Sequence, residues 1–231
     1  MPLVVRSLSD QLLDVIRGRI LSGAIAPDAP LRQDALAAEL GVSKIPLREA
    51  LRRLEQDGLL RASANKGFFA ASMTIEDAEE VFALRLRLEP EAAAAASLKA
   101  TDTERCAARD ALAVLNREMA AQGASSSVAN LVFHMALVRP ARKPVTAGIV
   151  ERLHLLADRY VRKHLEPEGR RARARREHEA ILNAWLARDA GRAAELIRSH
   201  VSGTLKDLKI ELARQSPKPA RRRRNTPSAR S

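Results

Sequence analysis

Asn130 and His134 stand four residues apart in "NLVFHMAL", so on a helix both side chains leave from one face. Two further histidines lie in distinct contexts, His178 in "REHEAIL" and His200 in "IRSHVSG". A histidine in an apolar helix is most often a core residue bonded to a neighbour. Three on separate helices that converge in a bundle are a different case. Three imidazoles with one oxygen would suit zinc or nickel, and iron or manganese with waters added. A second constellation is cationic. Lys44, Arg48 and Arg52 repeat at a spacing of four, which on a helix gives a stripe about 12 Å long. Arg and Lys so presented can donate to guanine O6 and N7 or to phosphates. The bland alternative is a solvated face supported by pairs such as Arg48 with Glu55 or Arg53 with Asp57.

These side chains need helices to position them. Residues 9–22 carry an apolar stripe of Leu12, Leu13, Ile16 and Ile20, predicting a first helix. "GAIAPDAP" reads as a loop. A short helix then ends at Gly41, and Ser43 is placed to cap a second helix running to about Gln56. Ala37 and Gly41 suit a helix-turn-helix, which needs a small residue for close packing and one tolerating positive φ at the turn. Leu47, Leu51 and Leu54 form the face of the second helix opposite its cationic stripe. "LRASANKGFFAA" has strand-like ends about a turn at 65–67.

From Thr74 onward the pattern is helical, with helices expected near 75–98, 102–121, 126–138, 145–165, 172–188 and 190–213. Thr74 with Asp77, and Thr101 with Glu104, resemble capping boxes. Pro90 falls inside the first of these helices, where it should kink the backbone. The fold expected is therefore mainly α, a winged helix-turn-helix over 1–72 followed by an all-α antiparallel bundle over 75–213.

Composition bounds the rest. Aromatic residues make up only 3% of the chain, so the core must be built from Leu, Ala, Val and Ile. The net charge is +12, but the stretch 214–231 holds seven basic residues and no acid, which leaves +5 for everything before it. That tail reads as disordered, and the body as only mildly basic. The single cysteine, Cys106, cannot form an internal disulfide; it fits a reducing compartment and reads as a small packed residue. No apolar run is long enough to span a membrane, and the start lacks the pattern of a signal peptide. The expected location is the cytoplasm.

The segment "LAAELGVSKIPLREALRRLEQDGLLRASANKGFFAA" resembles the winged helix-turn-helix of GntR-type bacterial transcription regulators. The resemblance implies operator contacts from Lys44 and Arg48, with Lys66 and Gly67 of the wing over the minor groove. Ser43 and Arg52 are then candidate phosphate contacts. Ile45 stands where many members carry Thr.

Residues 75–205 look like the helical effector domain (FCD) of the FadR-like branch of that family. Its markers appear as Arg85 to Glu89, Asn130 to Leu137, Glu177 to Ile181, and His200. The resemblance implies a divalent metal, zinc or nickel above all, held by Asn130, His134, His178 and His200. It implies also a small carboxylate effector, with Arg85 as its counter-charge. Arg suits that role because its planar fork meets a carboxylate bidentately. Asn130 offers a neutral carbonyl where many members offer a carboxylate, which should weaken metal binding. His154 and His164 match no ligand position and read as packing or surface residues.

The function expected is thus a ligand-responsive homodimeric repressor that binds double-stranded operator DNA. Dimerism follows because two recognition helices about 34 Å apart match successive major grooves. Two other classes compete. A metal-dependent enzyme acting on small carboxylates would need an acid or base beside the metal, and Glu177 points about 100° away from His178 on a helix. A non-specific nucleic-acid binder would rely on the basic tail alone.

Overall fold

The computed structural model describes residues 6–64, 66–121, 126–164 and 170–215. Helix α1 (Leu8–Leu21) starts where the Ser7 side chain accepts the Asp10 backbone N–H. Its Leu12, Leu13, Ile16 and Ile20 are buried, as the stripe predicts. Helix α2 (Gln33–Leu40) ends on Gly41 at φ 65°, and the Val42 N–H returns to the Ala37 carbonyl at 3.0 Å. Only a residue at ease in the left-handed region closes a helix this tightly. Helix α3 (Lys44–Gln56) follows, its Leu47, Ala50, Leu51 and Leu54 wholly buried. Ser43 occupies its N-cap position, but the side chain makes no capping bond, contrary to the expected role.

The wing is β2 (Leu60–Ser63) paired antiparallel with β3 (Gly67–Ala70), in register from Leu60 opposite Ala70 to Ser63 opposite Gly67. A two-residue strand, β1 (Pro30–Leu31), adds to the other edge of β3, giving the order β1-β3-β2. The loop reading missed that strand, because two residues beside a proline carry no period-two signal. Asn65 of the expected turn lies outside the described residues.

Six α-helices and one short 3-10 helix (Arg139–Ala141) make up the regular structure of the rest of the described chain: α4 (Ile75–Lys99), α5 (Asp102–Ala120), α6 (Ser126–Val138), α7 (Pro144–His164), α8 (Arg170–Leu186) and α9 (Ala190–Gln215). Thr74 and Thr101 both cap as expected, and Thr101 with Glu104 completes the reciprocal box. Pro90 lies buried within α4, which continues through it as one helix. Helix α4 is the central element, packed along α9 and α7. Its Ala92, Ala93 and Ala96 are buried, and such small side chains let neighbouring helices approach closely. Trp185 is fully buried and donates its indole N–H to the Leu137 carbonyl at 3.1 Å. Cys106 is exposed on α5, so the packed position expected for it is wrong; it sits on the solvent side of an amphipathic helix.

Two apolar clusters result, one holding α1 to β3 together and one inside the bundle. They meet at α7, where Leu156 packs against the first cluster and Arg159 donates to the Ala71 carbonyl at 2.7 Å.

Candidate DNA-reading surface and buried histidine centre

Helix α3 buries one face and leaves the other to solvent. Lys44, Arg48 and Arg52 are all exposed. Lys44 pairs with Asp34 across the turn, whereas Arg48 and Arg52 form no ion pair among the described residues. The compensating pairs that would explain a purely solvated stripe are therefore absent for those two. Arg53 pairs with Asp10 at 2.5 Å and Asp57 with Arg17 at 3.1 Å, both tying α3 to α1. Arg53 is thus a brace and no part of the cationic face. Ile45 is 82% exposed at the start of the same helix. Ser43 and Lys66 are exposed too, and Gly67 takes φ 83° at the start of β3, where a side chain would strain the wing.

The bundle brings His134 of α6, His178 of α8 and His200 of α9 together. One nitrogen from each lies within 4.8 Å of the others. Ligands about 2.1 Å from one ion span at most about 4.2 Å, so the three rings are within a small adjustment of enclosing it. Carboxylates fix two of the rings from behind. His134 Nδ1 donates to Glu89 Oε1 at 2.7 Å, and His200 Nδ1 donates to Glu177 Oε2 at 2.7 Å. That leaves Nε2 of His134 buried and unpartnered, and both ring nitrogens of His178 likewise. Buried nitrogens left with free lone pairs are costly unless something binds them. The donor set fits a divalent metal, with the outer carboxylates orienting its ligands.

A second group shares His134. Glu89 is fully buried on α4 and accepts from Arg85 Nε at 3.1 Å; His154 Nε2 of α7 lies 3.0 Å from its Oε1 and 3.3 Å from Arg85 Nη2. Burial opposes its ionisation, yet Arg85, His154 and His134 together hold its carboxyl well below the usual range. Burial likewise pushes His134 down to about 4 and lowers His154, His178 and His200. The imidazoles are consequently neutral near pH 7, the form in which histidine ligates a metal. Beside this network lies a cavity of about 360 Å³, bordered by Arg85, Asn130 and His154.

Residues 8–70 match the gntR family of bacterial regulatory proteins, and residues 80–203 match the FCD domain. The chain belongs to the GntR family, in its FCD-domain branch. This GntR-family chain is 29% identical over 209 residues to the HTH-type transcriptional regulator BphR of Paraburkholderia xenovorans (strain LB400), covering 87% of the one and 85% of the other. It is 26% identical over 195 residues to the HTH-type transcriptional repressor GlaR of Escherichia coli (strain K12), covering 80% and 89%. Among solved structures, E. coli McbR/YncC shares its fold with a TM-score of 0.78 at 21% identity, over 90% of this chain and 100% of that one. The protein is therefore a DNA-binding transcription regulator, as its relatives are, and not an enzyme.

The family's markers locate the centre of this GntR-family regulator only in part. His134, His178 and His200 come together as expected. Asn130 borders the cavity one turn before His134 on α6. Sequence reasoning missed two members. Glu89 closes the "RLRLE" marker, and its spacing of four from Arg85 was the available signal. His154, by sequence a packing or surface residue, is the other. It is buried, as packing requires, but its ring meets Arg85 and Glu89 and borders the cavity. The His164 side chain lies outside the described residues. Glu177, the only acid weighed for catalysis, is committed to holding His200.

Proposed function

We propose that this regulator is a homodimeric repressor whose bundle binds a small carboxylate at Arg85, beside a divalent metal. The observation that carries this reading is the set of unpartnered, buried nitrogens of His134 and His178, in a network whose Arg85 and His154 border a cavity. His134, His178, His200 and Asn130 would hold zinc or nickel. A bound ion would supply positive charge and a coordination position for the carboxylate. Around it the chain's own groups do the positioning. Glu89 and Glu177 keep the rings of His134 and His200 turned inward, and Arg85 faces the ligand while Glu89 balances its charge in the ligand's absence. Residues 1–72 would read DNA through Ser43, Lys44, Arg48, Arg52, Lys66 and Gly67. Residues 75–213 would bind effector and dimerise, and the basic stretch 214–231 would add salt-dependent affinity. Repression is supported by the name of the relative GlaR. A protein that binds operator DNA would work in the bacterial cytoplasm. Among the described residues no helix is long and apolar enough to cross a membrane.

The test joins two measurements on the full chain. Metal analysis of the purified protein should find about one zinc or nickel per chain, and a mobility shift on its own upstream DNA should respond to small carboxylates. A metal-free protein whose melting point ignores added zinc and nickel would overturn the metal assignment. Asn130→Asp should tighten zinc binding on the order of tenfold, since an anionic oxygen replaces a neutral one. Unchanged zinc affinity in that variant would remove Asn130 from the ligand set.

A further inference from the structure

The cavity bordered by Arg85 and His154 is not enclosed by the bundle alone. One wall belongs to α1 of the DNA-reading unit, through Arg17, Gly18 and Leu21. Gly18 is the unusual residue there. It sits in the interior of a 14-residue helix, where glycine is less stable than alanine by about 0.5–1 kcal/mol. A Cβ added at Gly18 meets nothing within 4 Å, so backbone crowding does not demand glycine. What its missing side chain leaves is room. Arg17, next along the helix, joins this wall to the recognition helix. Its Nη2 donates to Asp57, the C-cap of α3, at 3.1 Å, while its Nε is buried without a partner.

The lining also restricts what can bind. Arg85 and His154 provide the polar end, and Leu21, Leu131 and Val161 provide apolar surface. Asp14 and Asp158 border the cavity as well, and Arg17 beside them is already bonded to two carboxylates, Asp14 and Asp57, so a second anionic group on the ligand would meet negative charge without a free cation. A water takes about 30 Å³ of liquid, so about 360 Å³ holds about a dozen atoms of that size. Acetate would fill roughly a third of it.

We propose that the effector is a monocarboxylate with an apolar body, a medium-chain or aromatic acid, lying between Arg85 and α1 so that it touches both units at once. The inference rests on the carboxylate reading of Arg85 and extends it to ligand class and to regulation. Occupancy presses directly on α1, and Arg17 passes the change to the end of the recognition helix. Such a ligand discriminates between unit arrangements because only one of them presents the α1 wall, and that difference in affinity is what regulation requires.

The experiment is a calorimetric titration of the full chain with acetate, butanoate, hexanoate and adipate. Each buried methylene should tighten binding about fourfold, so hexanoate should exceed acetate by on the order of a hundredfold. Adipate, of equal length with a second carboxylate, should bind at least tenfold more weakly than hexanoate. Gly18→Phe should abolish the chain-length dependence, and Arg17→Ala should still bind hexanoate while its DNA mobility shift no longer responds to it. Acetate and hexanoate binding equally well to the wild type would overturn the proposal without recourse to any variant. So would a Gly18→Phe protein that keeps the wild-type series. If no acid binds at all, the carboxylate reading falls together with the inference. Acetate binding that is lost in Arg85→Ala and indifferent to chain length would retain that reading and sink only the α1 wall.

Discussion

The exposed face of α3 and the buried centre of the bundle both rely on charged and polar side chains, under opposite physical conditions. Arg48 and Arg52 stand in water with no ionic partner among the described residues, so each is free to meet DNA independently of its neighbours. Arg85, Glu89, His134 and His154 are buried together, with Glu89 in contact with each of the other three. In water a charge is inexpensive and its interactions are screened; in the interior an uncompensated charge costs several kcal/mol. Substitutions on the face should therefore act locally and singly, whereas those in the centre should propagate to metal, ligand and stability.

The largest contrast should come from His178→Ala. Losing one of three clustered imidazoles should reduce metal retention at least a hundredfold by metal analysis, with operator affinity of the effector-free protein unaltered. Full metal occupancy in that variant would mean the cluster is only core. Glu89→Gln should follow in size. It leaves the Arg85 guanidinium buried without its counter-charge, a loss of about 3–5 kcal/mol, visible as a melting temperature lower by about 6 °C or more. An unchanged melting curve would show that the network is not coupled. Arg48→Ala should weaken operator binding by about 1–3 kcal/mol, or roughly 5–150-fold, and leave metal content and melting temperature alone. Equal DNA binding by this variant would remove α3 from the groove. The smallest of the four effects is expected from Glu177→Gln, which keeps a hydrogen bond to His200 but removes the charge behind it. Metal affinity should fall about tenfold, the low end for outer carboxylates, while DNA binding holds. A loss as large as that of His178→Ala would instead make Glu177 a ligand.

The DNA-reading unit was nearly complete in the sequence because its determinants are local. Gly41 at a tight turn, the four-residue spacing of Lys44, Arg48 and Arg52, and the leucines opposite them all act within one helical hairpin. What escaped there was non-local or partner-dependent: the pairing of Pro30 and Leu31 with β3, the idle side chain of Ser43, and the engagement of Arg53 with Asp10 rather than Asp57. In the bundle, helix positions were legible from periodicity and caps. The family markers pointed to His134, His178 and His200, whose convergence periodicity alone does not give. Glu89 and His154 were invisible as site members, since a glutamate ending one helix face and a histidine on another show no relation until the helices pack.

The sequence by itself determined where helices begin and end, which faces are apolar, and that α3 carries cations outward, because these follow from backbone propensity and side-chain period within a few residues. Only the tertiary structure decided which groups share a dry interior. It put His154 and Glu89 beside His134, gave Glu177 to His200, and set α1 as a wall of the cavity next to Arg85. Those outcomes depend on how helices far apart in the chain pack. Packing is a collective property of the whole apolar surface, whereas spacing along the chain fixes only which side chains share a face.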